Sequence, residues 1–164
     1  MAQPDKIDTT ELVNRSQTAV HSGLLSDSAL DNLTLWLTQP RYAEYVSAIG
    51  KAIGQESWQE LDDVFWTVIP FGTGGRRGRM HPFGSNAIND RTIGESAQGL
   101  ANYVLNNSAA QSTANERLSC AIGYDTRHQS RHFAELCAGI MIANGFHVYF
   151  LDEYRATPQV SFLV

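Results

Sequence analysis

No stretch of this chain approaches the roughly 18 apolar residues in a row that would cross a bilayer. Its start, Met1-Ala2-Gln3-Pro4-Asp5-Lys6, lacks the basic-then-apolar pattern of a secretion signal. Neither a membrane nor export is therefore read here, and a cytoplasmic location is expected. Cysteine is scarce: Cys120 and Cys137 stand far apart, form no CxxC pattern and sit in apolar runs. Buried free thiols in a reducing compartment fit better than a disulfide or a metal site. Positive charge is short as well, with 12 Lys and Arg against 17 Asp and Glu, a formal net charge of −5. Non-specific nucleic-acid binding fits such a balance poorly. What remains is 164 residues, 43% hydrophobic and 18% charged, an ordinary composition for a globular protein. That length suits one domain, or one small domain plus an appendage.

One stretch stands apart. Phe71-Gly72-Thr73-Gly74-Gly75-Arg76-Arg77-Gly78-Arg79-Met80 holds four glycines and three arginines in ten residues. It follows the apolar, strand-like run Val64-Phe65-Trp66-Thr67-Val68-Ile69. Glycine permits positive φ and close approach of a ligand to backbone N–H groups. Arginine brings a planar, permanently charged fork suited to phosphate. A site for a phosphorylated ligand is the reading, with solvated surface as the plain alternative. The pattern is neither a Walker A loop nor GxGxxG, because Arg77 falls where the third glycine should and the loop has no lysine. A nucleotide is therefore disfavoured.

Along the chain, residues 1–8 are polar and expected to fray. A short helix is expected over Thr9–His21. A better one follows, capped by Ser26 or Asp27, with Leu30, Leu33, Trp36 and Leu37 at helical spacing. Pro40 ends it and opens another carrying Tyr42, Tyr45, Val46, Ile49 and Ile53, and a further turn or two is expected over Ser57–Asp62. Residues 1–63 thus read as a helical N-terminal extension whose aromatics serve packing. Residues 64–164 read as an α/β domain. Within it comes a long loop, 70–91, then a helix to about Asn106 opened by a Thr92/Glu95 capping box. A polar connection is expected over 107–115. Leu118–Tyr124 reads as a buried strand, Ser130 as the cap of a helix carrying Phe133, Leu136, Cys137, Ile140 and Met141, and Phe146–Leu151 as a second strand. Strand, helix, strand makes a βαβ unit with parallel strands and a right-handed crossover. Thr157-Pro158 marks a further helix, threonine as cap. Val160, Phe162, Leu163 and Val164 are apolar at the very end, and a truncated domain with an incomplete sheet is expected.

Ligands of open α/β sheets lie beyond the carboxyl ends of the strands. The loops that qualify, 70–80, 124–130 and 152–157, offer Thr73, Arg76, Arg77, Arg79, Asp125, Arg127, Asp152, Glu153 and Arg155. Asp125 and Arg127 could equally pair with each other or cap nearby backbone. His128 and His132 share a helix face at four-residue spacing, yet have no Cys or third ligand nearby, so no metal site is assigned in this chain. Ser130 and Ser161 show no positioned base and do not read as nucleophiles.

From about Ile69 onward the chain resembles the first domain of the α-D-phosphohexomutases, the phosphoglucomutase/phosphomannomutase superfamily. Phe71-Gly72-Thr73-Gly74-Gly75-Arg76-Arg77-Gly78 is similar to that family's FGTxG-(apolar)-RG opening. Gly123-Tyr124-Asp125-Thr126-Arg127 is similar to its (G/A)xDxR turn, and Ala156-Thr157-Pro158 to the element before its serine strand. The helical extension with Trp36-Leu37, together with FGTGG, most resembles the phosphoglucomutase/phosphopentomutase branch. Two departures stand out: Arg76 replaces an apolar residue of the family, and Ala87 stands where relatives often carry Arg.

The resemblance implies the fold, an incomplete three-layer α/β/α domain I. It also implies the reaction: a phosphoserine gives its phosphoryl group to a sugar monophosphate, and the resulting sugar bisphosphate reorients and returns a phosphoryl group from its other end. Arg77 would stabilise the moving phosphoryl group, with Thr73 and Gly74 shaping the same substrate pocket, while Asp125 and Arg127 would brace the serine loop. Mg²⁺ would be held by a second domain and not by this chain. The family's Thr-Ala-Ser-His-Asn-Pro type of loop does not occur in these 164 residues. The chain alone is therefore expected to be inactive, to depend on missing C-terminal domains, and to self-associate through its unfinished sheet. The substrate is a phosphorylated sugar. Glucose phosphate is favoured by branch, with pentose or mannose phosphate, or a non-catalytic metabolite-binding module, as alternatives.

Overall fold

A computed structural model of the chain describes residues 8–108 and 118–163. Apart from Asp8, the end expected to fray lies outside the described residues, as does most of the connection expected over 107–115. The chain gathers into two compact units that divide between Asn89 and Asp90.

The first unit is mostly helical: α1 (Thr9–His21), α2 (Asp27–Thr38), a 3₁₀ turn (Pro40–Tyr45), α3 (Val46–Gly54) and α4 (Trp58–Phe65). Local chemistry starts each of the first two helices. Asp8 Oδ1 accepts from the N–H groups of Thr10 and Glu11 at 2.9 and 3.3 Å. Ser26 Oγ accepts from Ala29 N–H at 3.3 Å, and Ser26 N–H donates to Asp62 Oδ1 at 2.8 Å, which ties the start of α2 to α4. The apolar stripes meet in one core in which Leu33, Ile49, Ile53, Leu61, Val64 and Phe65 are fully buried. Trp36 stacks on Tyr42 at 4.5 Å and meets Phe65 edge-on at 5.5 Å, so these aromatics are packing.

The strand-like run 64–69 is not a strand. Val64 and Phe65 close α4, because with Leu61 they fall at helical spacing on its buried face. Asn32 Nδ2 donates to the Phe65 carbonyl at 2.8 Å, satisfying a helix-end acceptor. The long loop is also not structureless. Asn86 N–H donates to Val64 O at 2.9 Å, Ile69 N–H to Ser85 O at 2.8 Å, and Ser85 Oγ to Thr67 O at 2.7 Å. Phe83 joins the helical core beside Phe65. Residues 66–89 thus hang on the helices, and the compact units part only after them.

The second unit is α/β: α5 (Asp90–Ser108), β3 (Ser119–Tyr124), α6 (Ser130–Ala143), β4 (His147–Tyr154) and α7 (Thr157–Ser161), while β1 (Phe71–Gly72) and β2 (Gly75–Arg76) belong to the loop of the first unit. β3 and β4 are parallel, Ser119 opposite His147 and Ile122 opposite Phe150, with a register shift before the Tyr124–Tyr154 pair. This is the expected βαβ unit. Ala101 of α5, Met141 of α6 and Phe146 form its core, with Val104, Cys120, Ile122 and Val148 packed around them. Gly94 lets α5 approach α6, since a Cβ there would lie 3.3 Å from Ile140 Cδ1.

Several boundaries differ from expectation. α5 begins at Asp90, so Thr92 is a buried residue inside the helix and not its cap. α6 is preceded by Gln129 in the left-handed region at φ 56°, and Ser130 is its first residue. α7 is preceded by Ala156, whose N–H donates to Gln159 Oε1 at 3.0 Å; Thr157 lies within the helix. Cys120 and Cys137 are free but only partly buried, and burial raises both thiol pKa values. No helix among the described residues is long and apolar enough to cross a membrane.

Candidate functional site

The glycine-arginine stretch folds as a tight hairpin. β1 (Phe71–Gly72) and β2 (Gly75–Arg76) pair antiparallel, Phe71 opposite Arg76 and Gly72 opposite Gly75, with Thr73 and Gly74 at the tip. Gly74 at φ +76° and Gly75 at φ +136° take backbone that other residues rarely adopt. Nothing lies within 4 Å of where their Cβ atoms would be, so the backbone there is open to approach. Below the hairpin, Ile88 N–H donates to Arg79 O at 2.8 Å and Asn89 Nδ2 to Gly84 O at 3.0 Å. His81 lies between Glu60 Oε1, 2.9 Å away, and the Phe83 carbonyl, 2.8 Å away, and so ties the loop to α4. These polar anchors went unassigned in the sequence; their only local signal was Asn, Ser and His scattered through a Gly- and Pro-rich loop.

Thr73, Arg77 and Arg79 are exposed. Among the described residues, neither Arg77 nor Arg79 has a side-chain hydrogen bond or ion pair, so both guanidinium groups are available to an anion. Arg76 differs. It is half-buried, and its Nε and Nη1 are enclosed without a hydrogen-bond partner among the described residues.

The second candidate loop follows β3. Arg127 N–H donates to Asp125 Oδ1 at 3.1 Å, Arg127 Nε to Asp125 Oδ2 at 2.7 Å, and Asp125 N–H to Ser130 Oγ at 3.2 Å. The Ser130 hydroxyl does most to hold the Asp125 carboxyl below the usual carboxylate range; desolvation opposes it, and the Arg127 N–H and guanidinium add to the lowering. Both alternatives open for Asp125 and Arg127 are adopted: the carboxylate pairs with the Arg127 guanidinium and also takes the Arg127 backbone N–H. Ser130 does not cap α6, because its oxygen is turned back to close this loop.

The third loop is shorter than expected, since β4 continues to Tyr154 and takes in Asp152 and Glu153. Glu153 has φ +59°, near the register shift, and Arg155 reaches its carboxylate only at 3.8 Å. Arg155 N–H donates to Tyr124 O at 2.8 Å, fastening the end of β4 to β3. His132 Nε2 lies 2.8 Å from Asp90 Oδ1, a pairing of α6 with the start of α5. Among the described residues no three His, Cys, Asp or Glu side chains gather where one cation could be held.

The structure places Thr73 and Gly74 at the tip of the hairpin, Arg76 in its second strand and Arg77 and Arg79 just after it, and gathers Asp125, Arg127 and Ser130 in one turn. The two groups belong to different compact units.

Residues 68–164 match the family described as phosphoglucomutase/phosphomannomutase, alpha/beta/alpha domain I. Over 137 residues the chain is 31% identical to a phosphoribomutase of Saccharomyces cerevisiae, covering 82% of this chain and 21% of that protein. Over 106 residues it is 39% identical to a phosphoglucomutase of Staphylococcus epidermidis, covering 65% and 18%. Over 150 residues it is 32% identical to a phosphopentomutase of Homo sapiens, covering 87% and 24%. The chain spans about a fifth of the length of these relatives. No solved structure matches it.

Proposed function

Given that the chain belongs to the phosphoglucomutase/phosphomannomutase family through its domain I, we propose that the protein it forms part of is a phosphosugar mutase interconverting glucose 1-phosphate and glucose 6-phosphate. A phosphoserine passes its phosphoryl group to the free hydroxyl of the sugar monophosphate, so that one P–O bond breaks at serine and one forms at sugar. The bisphosphate turns over, and its other phosphoryl group returns to the serine. The motif expected to carry that serine is not among these 164 residues, so this reading assigns the nucleophile, the metal ligands and the sugar-selecting groups to other residues of the protein.

What this chain contributes is charge and position. The observation that carries the reading is Arg77, exposed and without a side-chain partner among the described residues, on a hairpin whose shape requires glycine. A guanidinium at a transferring phosphoryl group stabilises the charge spread over its oxygens. Thr73 at the tip adds a hydroxyl donor, and the open backbone at Gly74 admits the phosphate closely. The Asp125–Arg127–Ser130 turn is self-satisfied, which suits bracing of a neighbouring loop and not contact with sugar.

Pentose phosphate is the second reading. It is favoured by the alignments to the phosphoribomutase and phosphopentomutase, which extend over more of this chain than those to the bacterial phosphoglucomutases. The test is turnover by the protein expressed from its full reading frame. Glucose 1-phosphate and ribose 1-phosphate are compared by kcat/KM, with the matching bisphosphate supplied as activator. A higher value for glucose 1-phosphate supports the proposal, and a higher value for the pentose transfers it to the second reading. Binding of sugar phosphates without any turnover would leave only a metabolite-binding module.

A further inference from the structure

Arg76 sits in β2 opposite Phe71, with Nε and Nη1 enclosed and unpaired among the described residues. A guanidinium cannot shed its charge by losing a proton, so burial has to be answered by an acceptor. Buried donors without one are rare in native proteins. Elsewhere the ion pairs commit Arg15, Arg91, Arg127, Arg131 and Arg155 to carboxylates, and none of these carboxylates is shared with Arg76. Three arginines within four positions, Arg76, Arg77 and Arg79, are thus left without an acidic partner among the described residues of a chain whose net charge is −5. Beside them the hairpin backbone at Gly74 and Gly75 is open.

We propose that Arg76 is a second phosphate-binding guanidinium of the hairpin, held unpaired in the free protein and turned out to a phosphoryl group alongside Arg77. Leaving its enclosed position forfeits no hydrogen bond, whereas contact with phosphate gains charge-assisted ones. The energetic balance therefore favours the outward fork once an anion arrives. This deepens the phosphosugar reading and rests on it for the identity of the ligand.

Titration calorimetry and thermal unfolding with inorganic phosphate, at fixed ionic strength, test it on the chain and its variants. The wild type is expected to bind phosphate and to unfold at higher temperature in its presence. Arg76→Leu is expected to keep or raise the ligand-free Tm, to weaken binding by about ten-fold or more, and to lose most of the phosphate-induced shift. Arg76→Lys should retain part of it, since a point charge replaces a fork. No binding by the folded wild type, or binding by Arg76→Leu within about two-fold of it, overturns the inference. So does a lower ligand-free Tm in Arg76→Leu with binding intact, which marks a purely structural side chain. The same variants in the full-length protein separate the two claims. Turnover of sugar phosphate unaffected by Arg76→Leu sinks this inference alone. Arg76-dependent phosphate binding without turnover of any sugar phosphate sinks the mutase reading alone.

Discussion

Gly84 and Val64 meet so closely that a Cβ on Gly84 would lie 2.6 Å from both Val64 O and Val64 Cβ, at a backbone φ of +108°. Here the loop that carries the hairpin crosses the last turn of α4, and only a residue without a side chain can make the crossing.

Gly84→Ala should therefore destabilise the helical unit by about 2 kcal/mol or more, from steric conflict with backbone added to strain at positive φ. Gly74→Ala has open space around it and should cost only about 1 kcal/mol, from the φ of +76° alone. Urea unfolding followed by far-ultraviolet circular dichroism measures both. Equal losses would show that crowding at Gly84 is relieved by movement of the loop.

Arg77→Ala should leave stability within about 0.5 kcal/mol, because an exposed side chain without a partner is removed. On the mutase reading, the same change in the protein expressed from its full reading frame should lower kcat by roughly 10²–10³, the scale for losing one donor at a developing charge. A variant that folds normally and turns over at the wild-type rate would remove Arg77 from the phosphoryl site.

Ser130→Ala deletes the hydroxyl that takes the Asp125 N–H and also stabilises the Asp125 carboxylate. It should cost about 1 kcal/mol, and the Asp125 pKa should rise toward its ordinary value of 3.8. The sign for the wild type follows from a carboxyl whose folded pKa is depressed. Its contribution is present above the unfolded value of about 3.8 and is lost as pH falls through the lower folded value. Carboxyl chemical shifts across an acid titration read this directly. An unchanged Asp125 titration in Ser130→Ala would leave Arg127 as the sole cause.

The 164-residue chain should self-associate. Tyr149 and Tyr154 of β4 are 58% and 61% exposed and Phe162 is 90% exposed, while β4 pairs only with β3 among the described residues. An unpaired strand edge beside apolar surface recruits other chains. Light scattering should report species heavier than a monomer, and Phe162→Ser should reduce them. A concentration-independent monomer would contradict this.

Residues near one another in sequence made much of the fold legible. α2 follows from apolar spacing and from the oxygen of Ser26 just before it; the βαβ unit follows from two short apolar runs around a periodic segment ended by Asn144-Gly145. The glycine-arginine hairpin is equally local, since glycine takes the positive φ of Gly74 and Gly75 far more readily than other residues.

Distant residues decided the rest. Val64 and Phe65 suit a strand by type and a helix by spacing, and burial against Trp36 and Phe83 settled the choice. Ser130 could serve the helix behind it or the turn before it, and the N–H of Asp125 claimed its oxygen. Arg76 and Arg77 are chemically the same in the sequence; tertiary packing exposes one and encloses the other. The sequence by itself determined most of which segments turn, coil or extend, the run at Val64–Phe65 excepted, because those preferences are energies of neighbouring residues. Which competing partner each polar atom finds, and which arginine keeps its charge in water, only the tertiary structure decided, because burial and hydrogen-bond satisfaction are properties of the packed chain.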